Sequence, residues 1–157
     1  MMTNPLRFTA VMALLGSFLA APATAQSAAD SAGIRAAALD YIEGWYIGDA
    51  SRMERALHPE LAKRMVQDDP KSHKSVLNQM GAKELVKYTQ EGGGRDTPVK
   101  RRQAEVSILD IYRGAASAKV IATDWIDYLH LARWNGRWQI VNVLWELKPS
   151  EARAASR

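Results

Sequence analysis

The chain has 157 residues, with 21 Lys and Arg residues against 17 Asp and Glu residues, which gives a formal net charge of +4. A chain of this length forms one ordinary domain with a single core. It contains no cysteine, which excludes disulfides, thiolate metal sites and cysteine nucleophiles. The positive excess is too small to indicate a nucleic-acid partner, and we expect none.

Residues 1–25 have the pattern of a secretory signal peptide. Arg7 supplies a short positive region, residues 8–20 form an apolar run, and the stretch ending at Ala25 matches the small-residue cleavage pattern. The apolar run is shorter than the roughly 20 residues that a membrane-spanning helix needs, and no cysteine follows for lipid attachment. We therefore expect cleavage after Ala25, no stable membrane anchor, and a periplasmic or secreted protein.

The N-terminal half of the mature chain has the pattern of three helices. The first is predicted to be capped by Asp30 or Ser31 and to end at Gly48, because its apolar positions repeat at helical spacing: Ile34, Ala38, Tyr41, Ile42 and Trp45. A short second helix begins at Asp49 or Ser51 and ends before Pro59. Residues 61–67 fit either a short strand or a last helical turn, residues 68–75 a loop, and a third helix begins at Gly81.

The C-terminal half is predicted to form antiparallel strands. Residues 104–112 and 116–122 are rich in aliphatic and β-branched residues, and residues 123–147 form a hairpin around Asn135-Gly136, a type I′ turn signal. A two-residue loop predicts these opposed pairs: Arg133 with Trp138, Leu131 with Ile140, Leu129 with Asn142, Asp127 with Leu144, and Trp125 with Glu146. A bulge in the 116–133 strand would exchange the faces on one side of it. Residues 150–157 are expected to be a flexible tail.

Segregated helices and strands predict an α+β domain over residues 26–149, with the helices packed on one face of the sheet. The hairpin is apolar on both faces, so both faces need cover. The row with Trp125, Asp127 and Leu129 is predicted to face the helices. The opposite row, with Tyr128, His130, Val143 and Trp145, is predicted to be a homodimer interface.

The order of elements and three stretches of sequence suggest a family. YIEGWYIGDASRMERALHPEL, DIYRGAASAKV and WNGRWQIVNVLWELKP resemble the SnoaL-like branch of the nuclear-transport-factor-two-like superfamily, and above all the putative lumazine-binding family, over residues 34–149. The resemblance implies a cone-shaped roll, in which a strongly curved, mostly antiparallel sheet wraps three N-terminal helices around an apolar pocket. It also implies dimerisation through the sheet. Relatives include isomerases, cyclases and dehydratases as well as non-enzymatic binders, so the resemblance predicts the fold and not the activity. Nothing in the sequence supports lumazine itself as the ligand.

Asp127 is the candidate catalytic residue. A carboxylate in an apolar wall has its charged form disfavoured, which would suit a general base near neutral pH. Tyr41 on the first helix could supply the hydrogen-bond donor that such a base works with. The alternative is a structural Asp that is bonded to backbone or paired with a cation.

The candidate ligand-binding residues are Tyr41, Trp45, His58, Trp125, Asn142 and Glu146. Asn142 lies within an apolar strand and needs a partner, either a ligand or a neighbouring loop. His58 could transfer a proton or cap a loop, and Trp45 and Trp125 could stack on a flat ligand or belong to the core.

Several chemistries are disfavoured. The three histidines lack metal-ligand spacing, and the triple glycine at residues 92–94 is not followed by the Lys-Ser/Thr of a phosphate loop. We expect no metal and no cofactor. Three hypotheses follow, in this order: binding of a small apolar or aromatic ligand, cofactor-independent isomerisation, dehydration or cyclisation with Asp127 as base, and a dimeric protein-interaction module.

Overall fold

The computed structural model describes residues 23–149. The predicted signal peptide lies almost wholly outside this range, and the predicted tail lies entirely outside it. The elements, in chain order, are α1 (Ala23–Ile47), α2 (Ala50–Ala56), β1 (Leu57–Asp68), β2 (Ser75–Met80), α3 (Ala82–Gln90), a 3₁₀ turn (Val99–Arg101), β3 (Ala104–Tyr112), β4 (Ala115–Ala122), β5 (Trp125–Trp134) and β6 (Arg137–Leu147).

The six strands form one curved, unclosed sheet in the order β2-β1-β6-β5-β4-β3, and three helices pack on one of its faces. All neighbouring strands are antiparallel except β1 and β6, which are parallel. The predicted α+β class and the predicted helices on a mostly antiparallel sheet are confirmed. No helix within residues 23–149 is long and apolar enough to cross a membrane.

The helix α1 buries the face that its spacing predicts. Ile34, Ala38, Tyr41 and Ile42 are each at most 3% exposed and pack into the core. The predicted cap at Asp30 or Ser31 is wrong, because the helix already includes these residues. The Asp30 carboxylate instead pairs with the guanidinium of Arg133 and accepts a hydrogen bond from the indole of Trp138, at 3.2 Å. These contacts connect the N-terminal part of α1 to the hairpin tip.

The connection from α2 into the sheet is tight. Asp49 is the N-cap of α2, and its carboxylate accepts a hydrogen bond from the backbone N–H of Arg52 at 3.0 Å. The next element, β1, is a full strand that begins immediately after α2, so the strand alternative for residues 61–67 is the correct one. The strand β2 has no counterpart in the sequence prediction. It pairs with β1 at the edge of the sheet, and most of its residues are exposed.

The hairpin turn has the predicted geometry, but the predicted register is wrong beyond the first pairs. Asn135 and Gly136 have φ of 48° and 77°, the two positive angles of a type I′ turn. Leu131 still opposes Ile140, after which the register shifts, so that Val141 is an extra residue on β6. From there Asp127 opposes Trp145, not Leu144. The bulge lies on β6, whereas the bulge suggested by the sequence was within residues 116–133.

This bulge exchanges the two faces of the C-terminal part of β6. Val143, Trp145 and Leu147 face the helices, beside Leu129, Asp127 and Trp125 of β5. The outer face takes Asn142, Leu144 and Glu146, which pair with His130, Tyr128 and Ile126. The predicted placement of Val143 and Trp145 on the outer surface, and of Asn142, Leu144 and Glu146 on the inner wall, is therefore corrected.

Candidate functional site

A cavity lies between the helices and the concave face of the sheet. Its volume is about 300 Å³. Most of its wall is aliphatic or aromatic, and it is lined by Tyr41, Ile42, Trp45, Met53, Lys63, Met80, Leu85, Tyr88, Asp124, Trp125, Trp145 and Leu147.

Three tryptophans give the cavity its aromatic character. Trp125 and Trp145 come from β5 and β6 and meet edge to face, with ring centroids 6.5 Å apart and planes at 78°. Trp45 comes from the last turn of α1. Gly93 and Gly94 pack directly on its indole, and a Cβ at either position would overlap the ring. Gly93 and Gly94 are therefore required for the close approach of their backbone to Trp45.

A polar cluster lies where Tyr41, Lys63 and Trp125 meet Asp127. The ammonium of Lys63 donates to Asp127 Oδ1 and to Tyr41 Oη, both at 2.7 Å. The hydroxyl of Tyr41 donates to the same Oδ1 at 3.1 Å, and the indole Nε1–H of Trp125 donates to Oδ2 at 2.7 Å. The side chain of Asp127 is fully buried and that of Lys63 is 8% exposed, so this is a buried ion pair. Buried charges are tolerated when they are paired and hydrogen-bonded in this way.

Burial changes the proton affinity of two members of this cluster. Burial lowers the pKa of Lys63, and the carboxylate of Asp127 opposes that change. Burial raises the pKa of Tyr41 well above its usual value, and the negative charge of Asp127 and the hydrogen bond to it raise that pKa further. Tyr41 is therefore a neutral phenol at neutral pH.

The hydrogen bonds of the cluster occupy the Asp127 carboxylate, so this group is not available to accept a proton from a bound molecule. Asp127 accepts three hydrogen bonds and lies behind Tyr41, Lys63 and Trp125, which line the cavity while Asp127 does not. A general base must reach the proton that it abstracts, directly or through one water. This geometry offers the cavity the ammonium of Lys63 and not the carboxylate, since the one O–H of Tyr41 already donates to Asp127.

The structure separates the predicted site residues into two groups. Tyr41, Trp45 and Trp125 line the cavity, and Asp127 contacts two of them. The other three do not line it: His58, Asn142 and Glu146.

Each residue of the second group lies on the surface for a physical reason. His58 is near the hairpin tip, where its ring meets Trp134 edge to face and its Nδ1 accepts from the backbone N–H of Glu60 at 3.1 Å. The bulge carries Asn142 and Glu146 to the outer face. There the amide oxygen of Asn142 accepts from Arg64 at 2.8 Å.

Lys63 is a functional candidate that was not predicted from the sequence. It lies on β1, where Leu61, Lys63 and Met65 are buried and the residues between them are half-buried. The sequence contains no decisive signal for it, because the alternate row of Ala62, Arg64 and Val66 has the same apolar–basic–apolar order. Residues 61–67 also fit a helical turn, so the faces of this segment were not assigned. Among the described residues, no cluster of three or more His, Cys, Asp or Glu side chains could hold a metal ion.

Comparison with known proteins gives a family match and several similar folds. The family described as putative lumazine-binding matches residues 29–146. No curated protein matches the chain. An NTF2-like protein of unknown function from Methylobacillus flagellatus KT aligns with a TM-score of 0.61 at 24% identity, covering 77% of this chain and 94% of that one.

Two further solved structures show the same architecture. An NTF2-like protein of unknown function from Shewanella baltica OS155 has a TM-score of 0.60 at 22% identity and covers 78% of this chain and 97% of its own. A putative scytalone dehydratase from Novosphingobium aromaticivorans has a TM-score of 0.57 at 9% identity and covers 80% and 89%. At these identities the likeness establishes the fold alone.

Proposed function

Because the chain belongs to the putative lumazine-binding family of the nuclear-transport-factor-two-like superfamily, we propose that it binds a small, flat and largely apolar molecule in the cavity. The cavity is the observation that carries the proposal. Its volume of about 300 Å³ is at the lower end of the range for small-molecule sites, roughly 300–1,000 Å³. Its aromatic walls and few polar groups are typical of such sites.

Binding has more support than catalysis by Asp127. The carboxylate already accepts hydrogen bonds from Lys63, Tyr41 and Trp125, and it does not line the cavity. A catalytic base at this position would first have to leave a buried ion pair, whose disruption is costly. A binding site needs no such rearrangement.

A cavity-filling substitution tests the proposal. Met80 lies half-buried at the end of β2 and lines the cavity, so we expect Met80→Trp to obstruct it. The probe is 2-acetylnaphthalene, titrated calorimetrically, and the expected result is at least a tenfold loss of affinity. Leu109→Trp is the matched control, because Leu109 is an exposed residue of β3 that does not line the cavity. Binding that survives Met80→Trp would place the ligand elsewhere.

We further propose that a second copy of the chain covers the outer face of the sheet. Tyr128 and Leu144 are opposed on β5 and β6, and Val66 and Leu77 are opposed on β1 and β2. All four are between 47% and 58% exposed, which is unusual for neighbouring large apolar side chains on one sheet face. Sedimentation of the wild type should give a dimer at micromolar concentration, and Leu144→Arg should give a monomer. Tyr112→Arg, on a residue 69% exposed at the end of β3, is the control.

We also propose that the protein is exported to the periplasm or secreted. The support is the signal-like pattern of residues 1–25. Cleavage after Ala25 would remove only the first three residues of α1, which begins at Ala23. N-terminal sequencing of the protein recovered from a periplasmic fraction should begin at Gln26. Recovery of the intact N-terminus from the cytoplasm alone would contradict the proposal.

A further inference from the structure

Lys63 has one more hydrogen-bond donor than the cluster around it uses. A protonated lysine carries three N–H donors and no acceptor. Two of them go to Asp127 Oδ1 and Tyr41 Oη. Among the described residues no further oxygen accepts from the ammonium, and the Trp145 ring centroid lies 4.6 Å from Nζ. Because Lys63 lines the cavity, the unused donor is available to a bound molecule.

The charge of the cluster restricts what that molecule can be. The ammonium of Lys63 and the carboxylate of Asp127 neutralise each other, 2.7 Å apart and almost completely buried. The remaining charged residue of the lining, Asp124, is 57% exposed and lies 3.4 Å from Arg101. An anionic ligand at Lys63 would bring a second negative charge into an apolar cavity that holds only one compensating cation, and such burial is unfavourable. A cationic ligand would be repelled by the ammonium.

A neutral ligand that carries a hydrogen-bond acceptor avoids both the burial of a second negative charge and the repulsion by the Lys63 ammonium. A carbonyl oxygen or an aromatic ring nitrogen can accept the third N–H of Lys63 without changing the net charge of the cavity. The same molecule can place its ring against Trp125 and Trp145, whose indoles line the wall beside Lys63. Resting on the proposed binding function, we infer that the cavity selects neutral aromatic molecules that carry a hydrogen-bond acceptor, with Lys63 as the residue that determines this specificity.

Three compounds of similar size test separately the need for an aromatic ring, for a hydrogen-bond acceptor and for a neutral ligand. Naphthalene has the ring alone, 2-acetylnaphthalene adds a neutral carbonyl, and 2-naphthoate adds a carboxylate at the same position. We expect 2-acetylnaphthalene to bind the wild type at least about tenfold more tightly than naphthalene, as for a hydrogen bond from a charged donor. We also expect it to bind more tightly than 2-naphthoate. Isothermal titration calorimetry at pH 7 gives the three affinities.

A variant that removes both charges isolates the role of Lys63. Lys63→Met alone leaves the Asp127 carboxylate buried without its cation and could fail to fold. The double variant Lys63→Met with Asp127→Asn avoids that unpaired charge. In it, 2-acetylnaphthalene and naphthalene should bind within about threefold of each other, because the acceptor has lost its donor.

The possible outcomes distinguish this inference from the proposed function. Equal wild-type affinities for naphthalene and 2-acetylnaphthalene would overturn the inference, while binding that Met80→Trp blocks would keep the proposed function. Tighter binding of 2-naphthoate, or a preference for 2-acetylnaphthalene that persists in the double variant, would also overturn it. No binding of any of the three derivatives would overturn the proposed function and the inference together.

Discussion

Removal of Lys63 is the sharpest test of the buried ion pair on which the candidate site is built. Lys63→Met keeps a long apolar side chain but leaves the Asp127 carboxylate, which is fully buried, without its cation. Breaking a buried pair by removing one partner costs about 3–5 kcal/mol. Since Tyr41 and Trp125 still donate to the carboxylate, we expect the lower end, a loss of about 3 kcal/mol in the free energy of unfolding.

The measurement is urea-induced unfolding at pH 7, followed by circular dichroism and tryptophan fluorescence, whose coincidence supports a two-state analysis. Arg64→Met is the matched control, because Arg64 is the next residue of β1 and its hydrogen bonds to Gln79 and Asn142 lie on the outer face. We expect the control to lose less than about 1 kcal/mol, as partly exposed polar contacts do. A loss of less than about 1 kcal/mol for Lys63→Met, with an unchanged dependence on urea, would refute a buried paired charge at this position.

Three further predictions concern proton affinity, the helix–hairpin contact and the turn. Because the pKa of Tyr41 is raised in the folded state, this residue stabilises the fold below pH 10 and loses that contribution above it. The difference in the free energy of unfolding between wild type and Tyr41→Phe should therefore fall by up to about 1.4 kcal/mol per pH unit above pH 10. Asp30→Ala removes the shared acceptor of Arg133 and Trp138 and should cost about 1–3 kcal/mol in urea unfolding. Gly136→Ala forces alanine to a φ of 77° and should cost about 1 kcal/mol or more in the same assay.

Each of these predictions has a control or a contradicting result. A wild-type curve parallel to that of Tyr41→Phe up to pH 11 would mean that Tyr41 ionises normally. Glu54→Ala is the control for Asp30→Ala. Glu54 is an exposed acidic residue of α2, and its replacement should leave the free energy of unfolding almost unchanged. Gly114→Ala is the control for Gly136→Ala, since Gly114 has no positive φ and a Cβ there would meet nothing closer than 3.9 Å. Equal losses for the two glycine variants would argue against the type I′ strain.

The parts of the fold that the sequence predicts are those encoded by local chemistry. Asn135-Gly136 tolerates positive φ and forms the predicted turn, and Asp49 caps α2 through its own carboxylate. The strand β3 has the predicted bounds, since it is rich in aliphatic and β-branched residues. The strand β2 was missed because nearly all its residues are exposed; it exists through hydrogen bonds to β1 and not through burial, which leaves no hydrophobic pattern.

The sequence predicts the part of the candidate site that depends on β5 alone. It does not predict the part that depends on how β6 aligns with β5. Asp127 and Tyr41 were proposed as neighbours, and their side chains are hydrogen-bonded at 3.1 Å. The facing wall depended on how β6 aligns with β5, and no residue type near Val141 indicates a bulge, so Asn142 and Glu146 were assigned to the wrong face. Bulges of this kind are set by sheet curvature and packing, which are properties of the assembled fold.

The bulge at Val141 also determines how a change in the length of β6 would act on the cavity wall. Deletion of Val141 would remove only the extra residue, and the pairs from His130 with Asn142 onwards would be kept. Val143 and Trp145 would still face the helices. Loss of the bulge with Val141 retained would instead present Leu144 and Glu146 in their place. The strand can therefore lose one residue at this position in evolution without any change in the residues of the pocket wall.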